Sequence, residues 1–364
     1  MQINSIFVEK FITMQLIQSN ISTIRDVAKK AGVARATVDR VLFNRGYVTQ
    51  KTREKVLAAI KDLDYRPNTN ASQLASKKEY HIACLIPEFK QGDYWEEMNN
   101  GLIASAKDHA SYNISVSFYY FDQNDEKGFI NNCNSILEAK PDGVMLSVVF
   151  PDFVANFCRE LEDNHIRYAF IDNKIDNLDY NLYYGIDSYK NGQIGAWFLT
   201  TRTEPEDIAL IRIIRDPRHK SDPNRTRRHG FTDYIEDVFP DCKIHTLFID
   251  PENTDSIMED LESFFSQNPS IKQIAMTSSR IFLLRDYLRK HPDPQRIVVG
   301  FDDIKKNLDC LREGLIDCLV IRHIKQQAYD ALTTFADYLI RNKKSKHTNF
   351  FVHMEILTKS NMDY

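Results

Sequence analysis

Arg35 and Arg40 stand in a short stretch, RATVDRVL (35–42), where Val38, Val41 and Leu42 share one helical face and Arg35, Ala36, Asp39 and Arg40 the other. An arginine presented in this way can fork onto the O6 and N7 of guanine in the DNA major groove. Other chemistries have little to work with. The chain has 12 glycines in 364 residues, arranged as neither GxGxxG nor GxxxxGK, so the two commonest phosphate-cradling loops are absent. GxSxG and HExxH are absent as well. Cys84, Cys133, Cys158, Cys242, Cys310 and Cys318 lack CxxC or Cys/His ligand spacing and read as reduced, mostly buried thiols. Scattered acids alone define no catalytic site. The expectation is a protein that is not an enzyme and carries no cofactor or metal.

The elements that must hold those arginines lie on either side. Thr23 with Asp26 has the form of a capping box, opening a helix whose apolar residues are Ile24, Val27, Ala28 and Ala31. Gly32 suits the positive φ of a tight turn between helices. After the loop Phe43-Asn44-Arg45-Gly46-Tyr47, Thr49 can cap a third helix, 51–63, with a stripe of Val56, Leu57, Ile60 and Leu63. Three helices in about 45 residues, with a glycine turn between the first two, form a helix-turn-helix; a small bundle with a solvated basic face has the same pattern. Charge divides accordingly. The net −4 combines +7 over 22–79, where 13 Lys/Arg face 6 Asp/Glu, with −11 over 80–364. A basic module on an acidic body suggests a head that binds a polyanion.

The stretch TIRDVAKKAGVARATVDRVLFNRGYVTQKTREKVLAAIKDLDYRPNTNASQLASKK resembles the DNA-binding segment of the LacI/GalR (lactose-repressor) family nearly end to end. The matching elements are the TIxDVA opening, the AGV turn, TVxRVL, the TREKV helix and the YRPNxxAxxL hinge. The resemblance implies a transcription regulator, a homodimer reading a pseudo-palindromic operator in double-stranded DNA under control of a small-molecule effector. By position, Arg35 and Ala36 open the recognition helix where bases are chosen, Arg40 also reaches a base, and Thr37 meets phosphate. Asp39, Asn44 and Tyr47 join the DNA contacts. Asn68, Ala71 and Leu74 match the hinge helix, whose leucine wedges into the minor groove and kinks the duplex. Three departures from the family pattern bear on the operator sequence. Ala34 replaces a serine cap worth about 1 kcal/mol, Asp39 replaces a small polar residue, and Phe43 replaces an asparagine.

From His81 onward, apolar runs (82–87, 114–121, 143–150, 166–171, 207–214, 296–301) alternate with helical periods such as 95–109, 127–139 and 254–266. Alternation over about 280 residues implies parallel sheets with too many strands for one small core. Two doubly wound lobes are expected, with ligand at the carboxyl ends of the strands. The resemblance extends, more patchily, to the family's effector domain, itself similar to periplasmic sugar-binding proteins. It implies that Tyr94 and Trp95 stack on ligand and that Asp187, in the GIDxxxxG run 185–192, accepts from ligand hydroxyls. Arg227 matches the arginine of RxxGF, and Asp302 the pocket aspartate. Two carboxylates, an arginine and an aromatic platform suit a carbohydrate. Each residue also has a plainer role: core aromatics, a helix cap, a solvated arginine. Where the family commonly has Asn-Asp, this chain has Ser279-Arg280 with Phe282 beyond, and a guanidinium there would favour an acid or phosphate over a neutral sugar.

The expected fold is an all-α helix-turn-helix head on an α/β two-lobed, periplasmic-binding-protein-like body with two doubly wound parallel sheets. The layout is a disordered leader 1–21, head 22–66, hinge 67–79 and body 80–364, with lobe 1 at about 80–203 and 323–345 and lobe 2 at about 206–320 and 348–364. The rival to a regulator is a periplasmic-type solute-binding protein. It would need a secretion signal, yet residues 1–21 are broken by Glu9-Lys10 and lack a basic start and a cleavage site. No apolar run reaches the roughly 18 residues of a membrane span, and a cytoplasmic location follows from the DNA-binding head.

Overall fold

Valine and alanine at helical spacing build the head. Helices α1 (Ile24–Ala31), α2 (Arg35–Leu42) and α3 (Gln50–Asp62) enclose Val27, Ala28, Val38, Val41, Val56 and Ala59. The computed structural model describes residues 24–42, 48–63, 79–110, 113–201, 205–213, 224–340 and 348–362, and the chain divides into two units between Lys78 and Glu79. Gly32 takes φ +64°, and the Val33 N–H donates back to the Ala28 carbonyl at 3.0 Å, which ends α1 in the expected turn. Ala34 offers α2 only its carbonyl, which accepts from Thr37 and Val38 N–H at 2.9 and 3.3 Å. Thr49 caps α3, its hydroxyl accepting from the Thr52 N–H at 3.4 Å. One expectation fails. Leu57 is 51% exposed, and the buried stripe of α3 runs through Val56, Ala59, Ile60 and Leu63 instead. Leu57 sits about 100° round the helix from Val56, too far to share its face.

On α2, burial of Val38 and Val41 leaves Arg40 exposed and Thr37 half-buried. The side chains of Arg35, Ala36 and Asp39 lie outside the described residues. So do Thr23, Phe43, Asn44, Tyr47, the leader, and the hinge with Asn68, Ala71 and Leu74.

In the body, strands β1 (Tyr80–Pro87), β2 (Ile114–Phe121), β3 (Gly143–Leu146), β4 (Arg167–Asp172), β5 (Leu182–Gly185) and β11 (Thr348–Phe351) form one sheet. Its order is β11-β5-β4-β3-β1-β2, parallel throughout. Strands β6 (Asp207–Ile213), β7 (Lys243–Ile249), β8 (Gln273–Ala275), β9 (Ile297–Phe301), β10 (Cys318–Ile321) and β12 (Glu355–Leu357) form the other. Its order is β12-β10-β9-β8-β6-β7, parallel except where β12 meets β10. The central strands β3, β9 and β10 are buried along their whole length, as sheets covered on both faces require.

Helices α4 (Tyr94–His109), α5 (Glu126–Ala139), α6 (Pro151–Asp163) and α12 (Ile324–Ile340) cover the first sheet. Helices α7 (Ser188–Thr200), α8 (Arg225–Val238), α9 (Thr254–Gln267), α10 (Arg285–Lys290) and α11 (Lys305–Glu313) cover the second.

Two boundaries differ from expectation. The run 143–150 pairs only to Leu146; Val149 and Phe150 are buried as packing residues while the chain turns into α6, which opens on Pro151. The lobes also exchange chain at other places, the first crossing earlier and the last later than expected. Helix α7 belongs to lobe 2, because Ala196 and Leu199 pack under the second sheet and Gly195 lies against Phe301. Strand β11 belongs to lobe 1, paired with β5. The chain therefore crosses between lobes at 186–187, 322–323 and 352–354.

Candidate functional site

The carboxyl ends of three strands deliver most of the charged groups of the cleft between the lobes. β4 ends on Asp172 in lobe 1, β9 is followed by Asp302 in lobe 2, and β10 by Arg322 at the second crossing. Arg227 comes from the first turn of α8, and Tyr94 and Trp95 open α4 after β1. These groups border a cleft of about 910 Å3, counting the solvent at its mouth. Between the lobes, exposed Lys90 of lobe 1 pairs with Glu252 of lobe 2 at 3.3 Å.

Four buried charges form one chain through the floor. Arg227 donates to both oxygens of Asp302, at 3.1 and 3.4 Å, and to the Thr277 carbonyl at 3.0 Å. Arg322 reaches Asp302 through Nε at 3.1 Å and Asp172 through Nη1 at 2.7 Å, so one guanidinium joins carboxylates of the two lobes. The Tyr94 hydroxyl donates to Asp172 at 2.6 Å, and the Asn173 amide at 3.0 Å. Arg322 lies over the Tyr94 ring, 4.9 Å from its centre, and Trp95 stands edge-on to that ring at 5.1 Å. Burial pushes the Asp302 carboxyl up, but Arg227 and Arg322 outweigh it and hold the group below the usual carboxylate range. Burial raises the Tyr94 phenol well above its ordinary value, so it remains a donor.

Asn307 fixes the loop that carries Asp302. Fully buried, its amide donates to the carbonyls of Ser279, Phe301 and Asp302 at 3.0, 3.0 and 3.1 Å, and its oxygen accepts from the Phe282 N–H at 3.2 Å. One side chain thus ties the segment holding Arg280 and Phe282 to the end of β9.

Six of the seven residues singled out from the sequence border the cleft: Tyr94, Trp95, Arg227, Arg280, Phe282 and Asp302. Asp187 does not. It is the N-cap of α7, accepting from the Lys190 N–H at 3.1 Å, and its carboxylate is committed to that helix start.

Residues 23–68 match the lacI family of bacterial regulatory proteins, and residues 82–344, most of the chain, match the periplasmic binding protein domain. The chain belongs to the lacI family of bacterial regulatory proteins. A ribose operon repressor of Halalkalibacterium halodurans is 27% identical over 346 residues, spanning 93% of this chain and 95% of that one. The crystal structure of a chain described as a LacI transcriptional regulator from Bacteroides fragilis superposes with a TM-score of 0.72 at 26% identity, covering 79% of this chain and 99% of that one. GanP, a glucose-galactose binding protein from Geobacillus stearothermophilus, shares the fold at 18% identity and a TM-score of 0.66, over 79% of this chain and all of its own. As a LacI-family regulator the protein is a DNA-binding transcription regulator, with the head and two-lobed body that its sequence implies. No helix among its described residues is long and apolar enough to cross a membrane.

Among the cleft residues of this regulator that sequence reasoning missed are the buried charges Asp172 and Arg322. A signal for both was present. Each follows an apolar run directly, Phe170-Ile171 and Leu319-Val320-Ile321, and a charged residue closing a buried parallel strand lies at the ligand end of the sheet.

Proposed function

We propose that this LacI-family regulator binds a pseudo-palindromic operator as a homodimer, and that a carbohydrate held in the interlobe cleft sets its affinity for that DNA. The observation that carries the reading is the cleft floor, where buried arginines and aspartates meet an edge-on Tyr94–Trp95 pair at the carboxyl ends of parallel strands. Planar donors, carboxylates and an apolar ring face are what a polyhydroxylated ligand uses. The names of its relatives lend support: a ribose operon repressor among the sequences and a glucose-galactose binding protein among the folds. Tyr94 and Trp95 would stack on the sugar, Arg227 and Asp302 would fix its orientation, and Arg280 and Phe282 would close it in from lobe 2.

On the head, Arg35, Ala36, Asp39 and Arg40 would choose bases. Thr37, Asn44 and Tyr47 would meet the backbone, and Asn68, Ala71 and Leu74 would form the minor-groove wedge. The protein works in the cytoplasm and catalyses nothing. Ligand draws the lobes together about the three crossings, and a coupling of about 1–3 kcal/mol changes operator affinity roughly 5- to 150-fold.

Fluorescence anisotropy on DNA from upstream of its own gene, at fixed salt and across neutral and acidic sugars, tests this. Selective binding shifted by one sugar is expected. Selective binding that no sugar moves would remove the carbohydrate from the reading, and binding no tighter than to random DNA would remove that operator.

A further inference from the structure

The carboxylates of the cleft floor have few acceptor sites left. Asp302 Oδ1 receives Arg227 and Arg322, and its Oδ2 receives Arg227 again. Asp172 Oδ1 receives Tyr94 and Arg322, and its Oδ2 receives Asn173. Asp93, the remaining acid of the cleft lining, stands on lobe 1, and its Oδ2 accepts from the Lys90 N–H at 3.1 Å.

Lobe 2 offers donors instead. Arg227 is 4% exposed, yet its Nε has no hydrogen-bond partner among the described residues, and the buried Ser278 hydroxyl has none among them either. Both border the cleft. Arg280 borders it too, half-buried, with no hydrogen bond or ion pair from its side chain to a described residue. A neutral sugar brings a proton on every hydroxyl and needs acceptors for them. A carboxylate or phosphate brings only acceptors and suits a wall of donors.

We propose that the effector is an anionic carbohydrate, a sugar acid or sugar phosphate, whose oxyanion is held on lobe 2 by Arg227, Ser278 and Arg280. The inference rests on the reading of the cleft as a carbohydrate site. The network leaves Arg322 no part in holding the anion, since its guanidinium is committed to Asp172 and Asp302. Arg280 is the specificity residue: it adds charge to the donor wall while standing outside the buried network, so its removal leaves the floor intact.

The test is isothermal titration of the full-length chain with matched ligands: glucose, glucuronate, gluconate and glucose 6-phosphate, then galactose and galacturonate, then ribose and ribose 5-phosphate. At least one anion is expected to bind about 10- to 100-fold more tightly than its neutral parent, the range of one charge-assisted hydrogen-bond pair. The carboxylate and phosphate arms separate the two sources of the oxyanion. Arg280→Ala should lower affinity for the anion by more than affinity for its neutral parent and so reduce the preference, and Arg280→Lys should restore part of it. A neutral sugar binding as tightly as its acid and its phosphate would overturn the inference and leave the carbohydrate cleft standing. Preference for the anion undiminished in Arg280→Ala would overturn the role of that residue. Binding by none of the eight would overturn the carbohydrate reading, and the anionic effector with it.

Discussion

Asp172 and Asp302 are held with φ at +74° and +70°, the left-handed region that costs an ordinary residue about 1–2 kcal/mol. Aspartate tolerates it better than most, and the conformation turns each carboxylate out of its strand and into the cleft. The neighbours that hold it are identifiable: Tyr183 donates to the Asp172 carbonyl at 3.0 Å, and Asn307 to that of Asp302 at 3.1 Å. Arg322 then neutralises both. Arg322→Met should lower stability at pH 7 by about 3–5 kcal/mol, since two buried carboxylates would be left with Arg227 alone. The acid profile follows from sign. Asp302 has its folded pKa depressed, so its contribution is complete above the ordinary carboxylate value of about 4 and is lost as pH falls through the lower folded value. Without Arg322 that loss should begin at a higher pH, and urea unfolding across pH 3–7 (about one denaturation series per unit) checks both halves. Unchanged stability at pH 7 would contradict this account. The places of Arg227 and Asp302 at the cleft were legible from short motifs. For Asp187 the choice between its two readings was not legible, because a carboxylate at a helix start looks the same in sequence whether it caps or binds.

The crossing of α7 and α8 shows what an element contributes to a side chain. A Cβ at Gly192 would land on the carbonyl of Arg227, and one at Gly230 on the carbonyl of Tyr189, so the two helices touch backbone to backbone at both glycines. The Arg227 guanidinium is thereby positioned by an absence of side chain on its neighbour. Gly192→Ala should cost about 1–3 kcal/mol by forcing the helices apart, and it should weaken effector binding because the displaced backbone is that of Arg227. Differential scanning calorimetry with effector titration reads both effects; wild-type affinity in a destabilised variant would show that the crossing serves stability alone. Most strands and helices were legible because alternation and period report burial, and burial is what forms a parallel sheet. The allegiance of α7 was not. Its apolar face fits either sheet, and only the tertiary approach of Phe301 to Gly195 decides.

At the scale of the whole molecule, charge is divided between a head and hinge together at +7 and a body at −11. DNA affinity should therefore fall steeply with salt through the head's phosphate contacts, with a log–log slope of about −0.9 per phosphate neutralised. Arg35→Ala should lose operator preference while retaining most of its affinity for random DNA, and anisotropy on both DNAs distinguishes this from an equal loss on each. The two-lobed plan was legible, because no single small core accommodates so many parallel strands. The positions of the crossings were not, since they depend on which edge β11 and β12 join. Those two come last among the described strands, and each completes a different lobe. As the ribosome delivers the chain, the head emerges before the body, and the first sheet lacks its full set of strands until residue 351 is out and the second until residue 357. A transcript cut short before that point would encode a DNA reader with no finished effector site, so premature stop codons there are expected to yield proteins blind to the signal.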